Sequence, residues 1–550
     1  MKDRFPFLVS AALVSTIPLS PGDVVGLSLQ GNLSTDHWDP TSISAASNPG
    51  YPSALSFSQN WPAPIQSPYG SDAYLNKTAN GATGAPIPSG SSIYFVSFAN
   101  LTNTNGGSLA VFDDTPLSNL KTLAFQIEIG GANGYDLHNN NLSQPANLSS
   151  VVLHYTTTSG SGSLTASFHT LLDRFYTFAI DMPVGANGEN LPVDVFNRLY
   201  GLQWDLSHIT DPITSFRIEF KAVEHAQLYH LRVDQSDHAY GTTSVFPAES
   251  VWTGLASDAH WQTAANWQSG SAPASDANIR FASGTGADLT SDPSHKSITF
   301  SGSEPFVLSS ADDHQLTLTS GINATSATEI SHEITAPLRL AKYNLFEIGA
   351  NNTLTISSSI EGSGFYKQGP GSLRLTGNNR FDATIASFRQ NGLIISGGDN
   401  TFSGSNTFEG IPSATFNIRP DTTVRLAGTT SPLDPKFAGN LLGSTSRLGL
   451  GDESSPVSQT VLSLAGSVAS VPITGSKITG GSPDISTLTL SPPSGTFIYA
   501  GDIGGTGLHE NNLSIIKSGP GLQILSGNVS HTGDTRIRGG TLAIDPSGRA

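Results

Sequence analysis

The first 240 residues alternate apolar and polar side chains in short stretches, which is the pattern of strands that bury one face. Residues 123–129 place four large apolar side chains on one face, and residues 216–220 bury three while a charge pair faces outward. Residues 151–155 and 228–233 follow the same rule, and Gly-, Asn- and Ser-rich loops separate these stretches. The pattern predicts an all-β fold that begins with a jelly-roll-like β-sandwich over residues 27–245, in which a carbohydrate-binding role stays open.

One segment of this region departs from strict alternation. Between residues 193 and 206 the large apolar residues have helix-like spacing. These are Val195, Leu199, Leu202 and Leu206. We interpret the segment as the one exception to the strand pattern, with a strand as the alternative.

From residue 297 onward the predicted strands become shorter and more regular. Each has apolar residues on both sides of one polar residue, often threonine, and is bounded by Gly, Asn, Ser or Asp. The clearest examples lie at 298–300, 316–318, 354–356, 416–418, 424–426 and 488–490. This pattern predicts a parallel β-helix over residues 297–550, with coils of about 20–25 residues and roughly ten to twelve coils.

Three of the six tryptophans, Trp252, Trp261 and Trp267, lie within sixteen residues of one another. They allow two interpretations, an aromatic platform for sugar rings or a hydrophobic plug. An open solenoid needs a plug because its first coil would otherwise expose a core face. We therefore assign residues 246–296 to a cap and first coil.

Composition and charge exclude several classes of function. Charged residues make up 13% of the chain, and 43 Asp+Glu against 26 Lys+Arg give a net charge of −17. Because there is no basic cluster, nucleic acid is not an expected partner. Cysteine is absent, which excludes disulfides, thiolate metal sites and cysteine nucleophiles.

Residues 1–26 have the features of a secretory signal peptide. Lys2 and Arg4 precede an apolar run at residues 7–14 that is too short to span a membrane. A buried N-terminal strand is the alternative. We expect a secreted or cell-surface protein, attached to a membrane only through an anchor not present in this chain. Because the sequence stops directly after a repeated phrase, we expect it to be a fragment.

One phrase occurs twice, 150 residues apart, with identical spacing. Each copy contains a lysine, a Gly-Pro-Gly triplet and a Gly-Asn pair six residues after the triplet. The members are Lys367, Gly369, Pro370, Gly371, Gly377 and Asn378, and then Lys517, Gly519, Pro520, Gly521, Gly527 and Asn528. A phrase that repeats turn residues without repeating a reactive group indicates an architecture.

The phrase predicts two turns in each copy. Pro-Gly suits a type II turn, in which proline takes the first central position and the following glycine, Gly371 or Gly521, accepts a positive φ. Asn378 and Asn528 mark the second turn, where asparagine tolerates left-handed geometry and its amide can stack on the neighbouring coil.

These residues resemble the autotransporter-associated β-strand repeat, also called the passenger-associated transport repeat. In the second copy the match continues to Gly533 and to the close Gly539-Gly540-Thr541-Leu542. In the first copy it continues to Asn379 and Phe381 and closes at Gly392-Leu393, and residues 399–404 resemble the middle of a further copy. The resemblance covers about residues 250–550. It implies a right-handed β-helix in a secreted or outer-membrane passenger, and it implies no reaction.

No catalytic residue and no cofactor is predicted. Polysaccharide enzymes built on a β-helix need carboxylates clustered on the outer face of successive coils. The doublets Asp312-Asp313 and Asp452-Glu453 are poor dyads, since adjacent strand residues point to opposite faces, and we interpret them as solvated turns.

A structural calcium ion stays open as an alternative in the sandwich region. The acidic segments 36–39 and 234–238 lie at its two ends, and terminal strands can pair in a jelly roll. Scattered surface acids are the interpretation that we favour.

Four aromatic residues in loop-like stretches are candidates for stacking on sugar rings, with core or surface packing as the favoured interpretation. They are Trp61, Tyr69, Tyr74 and Tyr135.

The expected function is a non-catalytic secreted or cell-surface protein, with a sandwich domain on a β-helical stalk. It would serve adhesion or contact with an extracellular polysaccharide or cell-surface glycan. The alternatives are a secreted β-helix polysaccharide lyase or glycoside hydrolase, and a carbohydrate-binding module on an inert spacer.

Overall fold

The computed structural model describes residues 24–70, 72–97, 104–132, 136–138, 148–183, 190–382, 392–409, 415–430, 445–464, 467–468, 471–472 and 475–545. Most of the predicted signal peptide lies outside these residues. The chain divides into two compact units, Met1–Ile180 with Val193–Pro247, and Asp181–Pro192 with Ala248–Ala550. Within the described ranges no helix is long and apolar enough to cross a membrane.

The first unit is an antiparallel β-sandwich. Its strands are β1 (Leu33–Trp38), β2 (Ile65–Gln66), β3 (Tyr74–Asn80), β4 (Ala85–Ser89), β5 (Ser92–Val96), β6 (Asn105–Asp113), β7 (Thr122–Ala132), β8 (Val152–Thr157), β9 (Ser161–Thr165), β10 (Phe168–Pro183), β11 (Asn190–Asp205), β12 (Ile213–Val223) and β13 (Gln227–Ser236). A 3-10 turn at Leu148–Ser150 precedes β8. One sheet has the order β10-β11-β7-β13-β5-β4, with β1 also paired to β13, and the other has the order β2-β3-β6-β12-β8-β9.

Alternation along these strands builds the core between the two sheets. Phe125 and the other odd-numbered apolar residues of β7 are fully buried against the inward residues of β12. The rings of Phe125 and Phe220 lie 6.0 Å apart. On the outer face of β12, Arg217 and Glu219 form the expected charge pair at 3.6 Å. The predicted sandwich is confirmed.

The segment with helix-like spacing is a strand. β11 pairs with β7 over eleven residues. Leu202 faces the core between the sheets, whereas Leu199 packs on the opposite face with Leu172 and Phe246. A strand that is buried on both faces carries apolar residues at both odd and even positions. In this segment the spacing of the large apolar residues coincides with that of a helix.

The second unit is a parallel β-solenoid, as predicted. Its strands are β14 (Ser250–Trp252), β15 (Asn278–Phe281), β16 (Gly286–Asp288), β17 (Ser294–Phe300), β18 (Val307–Ser309), β19 (Leu316–Ala324), β20 (Ile330–Ile334), β21 (Leu338–Leu340), β22 (Asn344–Ile348), β23 (Asn352–Ile356), β24 (Ile360–Gly362), β25 (Gly364–Gln368), β26 (Ser372–Leu375), β27 (Asn379–Asp382), β28 (Gly392–Ile395), β29 (Gly398–Phe402), β30 (Asn406–Glu409), β31 (Thr415–Ile418), β32 (Thr422–Leu426), β33 (Arg447–Leu450), β34 (Ser458–Val461), β35 (Ser467–Val468), β36 (Val471–Pro472), β37 (Lys477–Gly480), β38 (Ser486–Leu490), β39 (Thr496–Tyr499), β40 (Asp502–Ile503), β41 (Leu513–Lys517), β42 (Leu522–Leu525), β43 (Thr535–Ile537) and β44 (Thr541–Ile544). A 3-10 turn at Ala264–Asn266 lies between β14 and β15.

Coils in the middle of the solenoid contribute one strand to each of three faces. A ten-stranded sheet has the order β16-β18-β20-β23-β26-β29-β32-β33-β37-β40. β19 pairs with both β21 and β22, so the rows β21-β24-β27-β30 and β22-β25-β28-β31 extend from it as separate faces. Near the C-terminal end the rows are β34-β38-β41-β43 and β39-β42-β44. Among the described strands of this unit, only the β35–β36 pair is antiparallel.

Parallel register stacks each inward apolar residue on its counterpart in the neighbouring coil. One fully buried column consists of Leu308, Ile334, Ile356, Leu375, Phe402, Leu426 and Leu450. Burying each such side chain stabilises the fold by roughly 1.5–3 kcal/mol relative to exposure. The repeated short strands seen in the sequence are therefore layers of one continuous core.

The three clustered tryptophans lie inside this core. Trp252, Trp261 and Trp267 are 0%, 1% and 2% exposed, and their ring centroids lie 4.9–6.2 Å apart. The indole of Trp267 donates to the carbonyl of Trp261. Since no ring presents an open face to a sugar, the plug interpretation agrees with this placement.

The solenoid has about nine turns, and its ten-stranded sheet stacks one strand from each of ten coils. Some of these coils are longer than the predicted length of about 20–25 residues. Arg374 pairs with Thr401 in the next coil, and Gly449 pairs with Thr479, and both intervals along the chain exceed the expected coil length. Loops between strands take up the additional residues.

One histidine of the solenoid is buried beside an aromatic ring. His332 on β20 is 1% exposed and stacks on Phe300 with ring centroids 4.7 Å apart. Its two ring nitrogens have no hydrogen-bond partner among the described residues. Burial lowers the pKa of His332 to about 4.

We predict that acidification destabilises the solenoid and that His332→Phe reduces this effect. The unfolded histidine binds a proton near pH 6.5 and the buried one only near pH 4, so unfolding becomes more favourable as the pH falls through this window. For His332 the loss between pH 7 and pH 5 is about 2 kcal/mol. Denaturant unfolding of both proteins at the two pH values checks this, and an unchanged pH dependence in the variant would contradict it.

Candidate functional site

The outward face of the ten-stranded sheet carries a polar groove of about 410 Å³. Four consecutive strands of this sheet, β29, β32, β33 and β37, and the loop between β40 and β41 supply its lining. The lining residues are Asp399, Asn400, Thr401, Thr423, Arg425, Arg447, Gly449, Thr479 and Glu510. The volume is within the range of small-molecule sites, and no residue of the lining is aromatic.

Parallel register arranges most of these residues in two columns. The first column consists of Thr401, Arg425, Gly449 and Thr479. The second consists of Asp399, Thr423 and Arg447. Because neighbouring strands lie about 4.8 Å apart, each column offers one outward position per coil at that interval.

Positive and negative charges are equal in number along the groove, with two arginines and two carboxylates. Arg447 lies 3.8 Å from Glu510. Nη1 of Arg425 lies 3.5 Å from the carbonyl oxygen of Gly451, and its charge also acts on Asp452. The guanidinium groups therefore lie beside oxygen atoms and keep further N–H donors for a ligand.

A glycine opens the centre of the groove. Gly449 stands between Arg425 and Thr479 in the first column. A Cβ at this position would lie 3.8 Å from both Cγ of Arg425 and Oγ1 of Thr479, which is ordinary contact. The backbone thus accepts a Cβ at this position.

The two lysines of the repeated phrase are fully buried. Nζ of Lys367 donates at 2.5–2.6 Å to the carbonyl oxygens of Gly369, Gly371 and Gly397. Nζ of Lys517 donates at 2.7–3.0 Å to those of Ser518, Gly519 and Gly539. Three acceptors match the three N–H donors of an ammonium group, and the third acceptor belongs to the following coil.

Burial opposes the charge on both lysines. It lowers the pKa of Lys367 to about 7, although Asp399 favours the charged form. It also lowers the pKa of Lys517. The lysines are therefore internal connectors between coils, a role that the sequence phrase did not indicate.

The Gly-Pro-Gly turn differs from the predicted type II turn. The left-handed residue is the glycine before the proline, with φ of 93° at Gly369 and 68° at Gly519. Gly371 and Gly521 do not have a positive φ. A left-handed residue at the first central position is the order of a type II′ turn. The second glycine is needed for another reason, since a Cβ at Gly371 would collide with the backbone of the preceding coil.

The stacked asparagine is also one residue away from its predicted position. Asn378 and Asn528 are exposed and are not left-handed. Asn379 is buried instead, and its amide donates to Oδ1 of Asn406 in the next coil at 3.0 Å. Glycine at 377 again permits close backbone approach, because a Cβ there would collide with the carbonyl of Ser358.

A comparison with known protein families matches the two segments that contain the buried lysines and their turns. Residues 365–384 and 515–544 match the model of the passenger-associated-transport-repeat family. Both segments are passenger-associated transport repeats. The resemblance noted in the sequence is confirmed for these two copies, and each match contains the buried lysine and its turn.

Comparisons with curated proteins and with solved structures give no further information about function. Among curated proteins, none matches the chain. Among solved structures, the catalytic domain of a GH87 alpha-1,3-glucanase in complex with tetrasaccharides is similar at 11% identity, over 86% of this chain and 95% of that chain, with a TM-score of 0.20. A TM-score this low carries no argument about function.

The first transport repeat contains an insertion that hid its close. Lys367 contacts Gly397, whereas Lys517 contacts Gly539 in the equivalent position. The interval along the chain from Lys367 to Gly397 is longer than the interval from Lys517 to Gly539. The first copy therefore has additional residues before its closing glycines. Its closing glycines are therefore at 397–398, and the predicted close at 392–393 is wrong.

The groove lies between the two transport repeats along the chain. Its lining extends from residue 399 to residue 510, outside both matched segments. The transport repeats thus build neighbouring coils and supply no lining side chain. The groove had no sequence signal of its own, because its residues come together only when coils of unequal length are placed in register.

Three of the four aromatic candidates lie in the described residues. Trp61 is 8% exposed and its indole donates to a backbone carbonyl, so it offers no face to a sugar. Tyr74 is half-buried and stacks on a neighbouring ring. Tyr69 is 56% exposed, with His37 stacked at 5.6 Å. Tyr135 lies outside the described residues.

The two acidic ends of the sandwich meet, as the sequence suggested, through pairing of β1 with β13. The carboxylates that converge are those of Asp36, Asp72 and Asp113, whose oxygen atoms lie within 4.8 Å of one another. Asp234 is engaged by Arg232 instead. Carboxylate oxygens suit calcium, but the ion takes six to eight oxygen ligands and three carboxylates alone do not complete that set.

Burial is the main reason for the altered acidity of this cluster. It raises the pKa of Asp113 to about 6, and the charges of Asp72 and Asp36 raise it further. Two hydrogen bonds, from the backbone N–H of Thr115 and the amide of Gln235, oppose the shift.

A second polar cluster lies on the outer face of the seven-stranded sheet. Nδ1 of His230 lies 2.6 Å from Oε2 of Glu128, and the amide of Asn197 donates to Oε1 of Glu128 at 2.8 Å. Burial raises the pKa of Glu128, and both contacts oppose that shift. Because β7, β11 and β13 are distant in sequence, no local motif could have indicated this cluster.

We predict that Lys367→Met destabilises the solenoid by about 2–4 kcal/mol, because methionine fills the space but removes the donor of three buried carbonyls. Lys477→Met is the matched control, since Lys477 is half-buried on β37 and outside the transport repeats. Denaturant midpoints of the two variants check the prediction. Equal midpoints would show that the buried ammonium contributes nothing.

We predict that Asp36→Asn stabilises the sandwich at neutral pH. The folded pKa of Asp113 lies above its usual value, so the folded state holds a proton between about pH 4 and pH 6 and its stability falls as the pH rises through that window. Ionisation of buried Asp113 lowers the stability by about 3 kcal/mol, and removing the charge of Asp36 should reduce this loss.

Unfolding of wild type, Asp36→Asn and the exposed control Asp114→Asn at pH 4.5 and pH 7 checks this. The stability gain of Asp36→Asn over wild type should be larger at pH 7. A wild-type protein that loses stability at pH 7 on chelation, with Asp36→Asn unaffected, would contradict the prediction and indicate a bound cation.

Proposed function

We propose that this protein is a non-catalytic, exported passenger-type solenoid that contacts an extracellular glycan through the groove. The transport repeats support export, since they suggest a secreted or cell-surface protein. The observation that carries the glycan proposal is the groove itself. Arg425 and Arg447 project from adjacent coils into a lining that also contains carboxylates and threonines.

This lining suits a polyhydroxyl ligand. A sugar hydroxyl donates one hydrogen bond and accepts others, so its site needs both donors and acceptors. The guanidinium groups supply donors, Asp399 and Glu510 supply acceptors, and threonine hydroxyls supply both. Without an aromatic platform, affinity depends on these hydrogen bonds.

A polysaccharide hydrolase is the second candidate, because two carboxylates, Asp399 and Glu510, line one groove. Hydrolysis requires one of them to act as an acid and the other as a base or nucleophile. Glu510 already lies beside Arg447, which favours a binding role for it. Release of new reducing ends from a glycan panel, abolished by Asp399→Asn or Glu510→Gln, would favour the enzyme instead.

We predict that the protein binds members of a glycan array and that Arg425→Ala with Arg447→Ala reduces binding by roughly tenfold or more, because charged hydrogen-bond donors are lost. Arg374→Ala is the matched control, since Arg374 occupies the first column but does not line the groove. An array without any bound glycan, probed with folded protein, would overturn the proposal.

A further inference from the structure

We infer that the groove selects a neutral polysaccharide, whose chain lies along the solenoid axis with one sugar ring seated over Gly449. The inference rests on the proposed function and specifies its ligand. Three features of the groove carry it, namely the partnering of its charges, the spacing of its hydroxyl groups and the missing side chain at its centre.

Each charge of the groove lies near a charge of opposite sign. Arg447 lies beside Glu510, and the charge of Arg425 acts on Asp452. Asp399 acts on the buried lysine of the first transport repeat. A polyanion would have to displace these carboxylates or lie against them, which is unfavourable. The net charge of −17 further opposes approach of a polyanion.

A neutral sugar meets no such penalty. Thr401 and Thr479 flank the arginine and the glycine of the first column, and Thr423 stands in the second column. Each hydroxyl both donates and accepts, as the hydroxyl groups of a sugar do. The groove can therefore exchange hydrogen bonds with an uncharged ring without separating Arg447 from Glu510.

The spacing of the columns gives the direction of the chain. Each column repeats at the coil interval of about 4.8 Å, which is close to the length of one pyranose ring. A polysaccharide parallel to the axis can thus place successive rings over successive coils. A chain running parallel to the strands would meet only the residues of one coil.

Gly449 determines how deeply a ring can enter. The neighbouring positions of the column carry Arg425 and Thr479, whereas Gly449, itself buried between them, carries no side chain. Its φ is not in the left-handed region, and a Cβ would make ordinary contacts. Glutamine at this position should therefore fold normally and occupy the space of the ring.

The experiment is affinity electrophoresis in gels that contain either an uncharged polysaccharide (a glucan, mannan or xylan) or a polyuronate, at low and high ionic strength. The full chain is compared with Gly449→Gln and with Thr355→Gln. Thr355 is the matched control because it faces outward in the same column but does not line the groove. Circular dichroism of both variants verifies folding.

We expect at least one uncharged polysaccharide to retard the wild type and the Thr355→Gln variant independently of salt. Gly449→Gln should weaken this retardation roughly tenfold, as expected for the loss of one or two hydrogen bonds.

Two results would overturn the inference while leaving glycan contact intact. One is retardation by the polyuronate alone that falls with salt, since it would indicate charge recognition. The other is equal retardation of wild type and Gly449→Gln, which would place binding elsewhere on the chain. Absence of retardation in every gel would overturn both the inference and the proposed function.

Discussion

Close approach of one backbone to the next at the corners of the solenoid is the constraint on which the rest of its structure depends. Strands of neighbouring coils can pair in register only if their turns also stack, and a Cβ at Gly371 or Gly398 would collide with the turn below. The ammonium groups of Lys367 and Lys517 then bind carbonyls of two successive turns. Glycine permits this close approach of the two turns, and the lysine then links them through hydrogen bonds.

Once the turns at the corners are stacked, the register between strands determines which side chains align on the inner and outer sides of each sheet. Most inward positions form apolar columns, so that one coil buries the next. Outward positions form polar columns at the same interval, and the groove is the place where one such column lacks a side chain. The same alignment that stabilises the core thus produces the surface that we assign to glycan contact.

Local pattern was enough to predict much of the fold. Alternation identified the sandwich strands, and apolar residues flanking a single polar residue identified the solenoid strands, because both patterns follow directly from which face is buried. Strand β11 was harder to recognise because it is buried on both faces. The turn prediction was wrong at Gly371, since glycine there relieves a collision between coils and not a strained φ.

The candidate site was less accessible from sequence than the fold. Gly449 is inconspicuous among the many glycines of the chain, and its importance depends on Arg425 and Thr479, which belong to the two neighbouring coils. Glu510 reaches the groove from a loop. Asp36, Asp72 and Asp113 belong to different parts of the sandwich, and only the folded chain brings them together.

Burial of the two repeat lysines also makes them reporters of their own coils. In the solenoid their amines are fully enclosed, whereas an extended chain exposes them to water and to acylating reagents. Selective labelling of Lys367 and Lys517 would therefore mark chains in which these coils have not yet closed. The extent of labelling at each lysine would thus report whether the coil that contains it has folded.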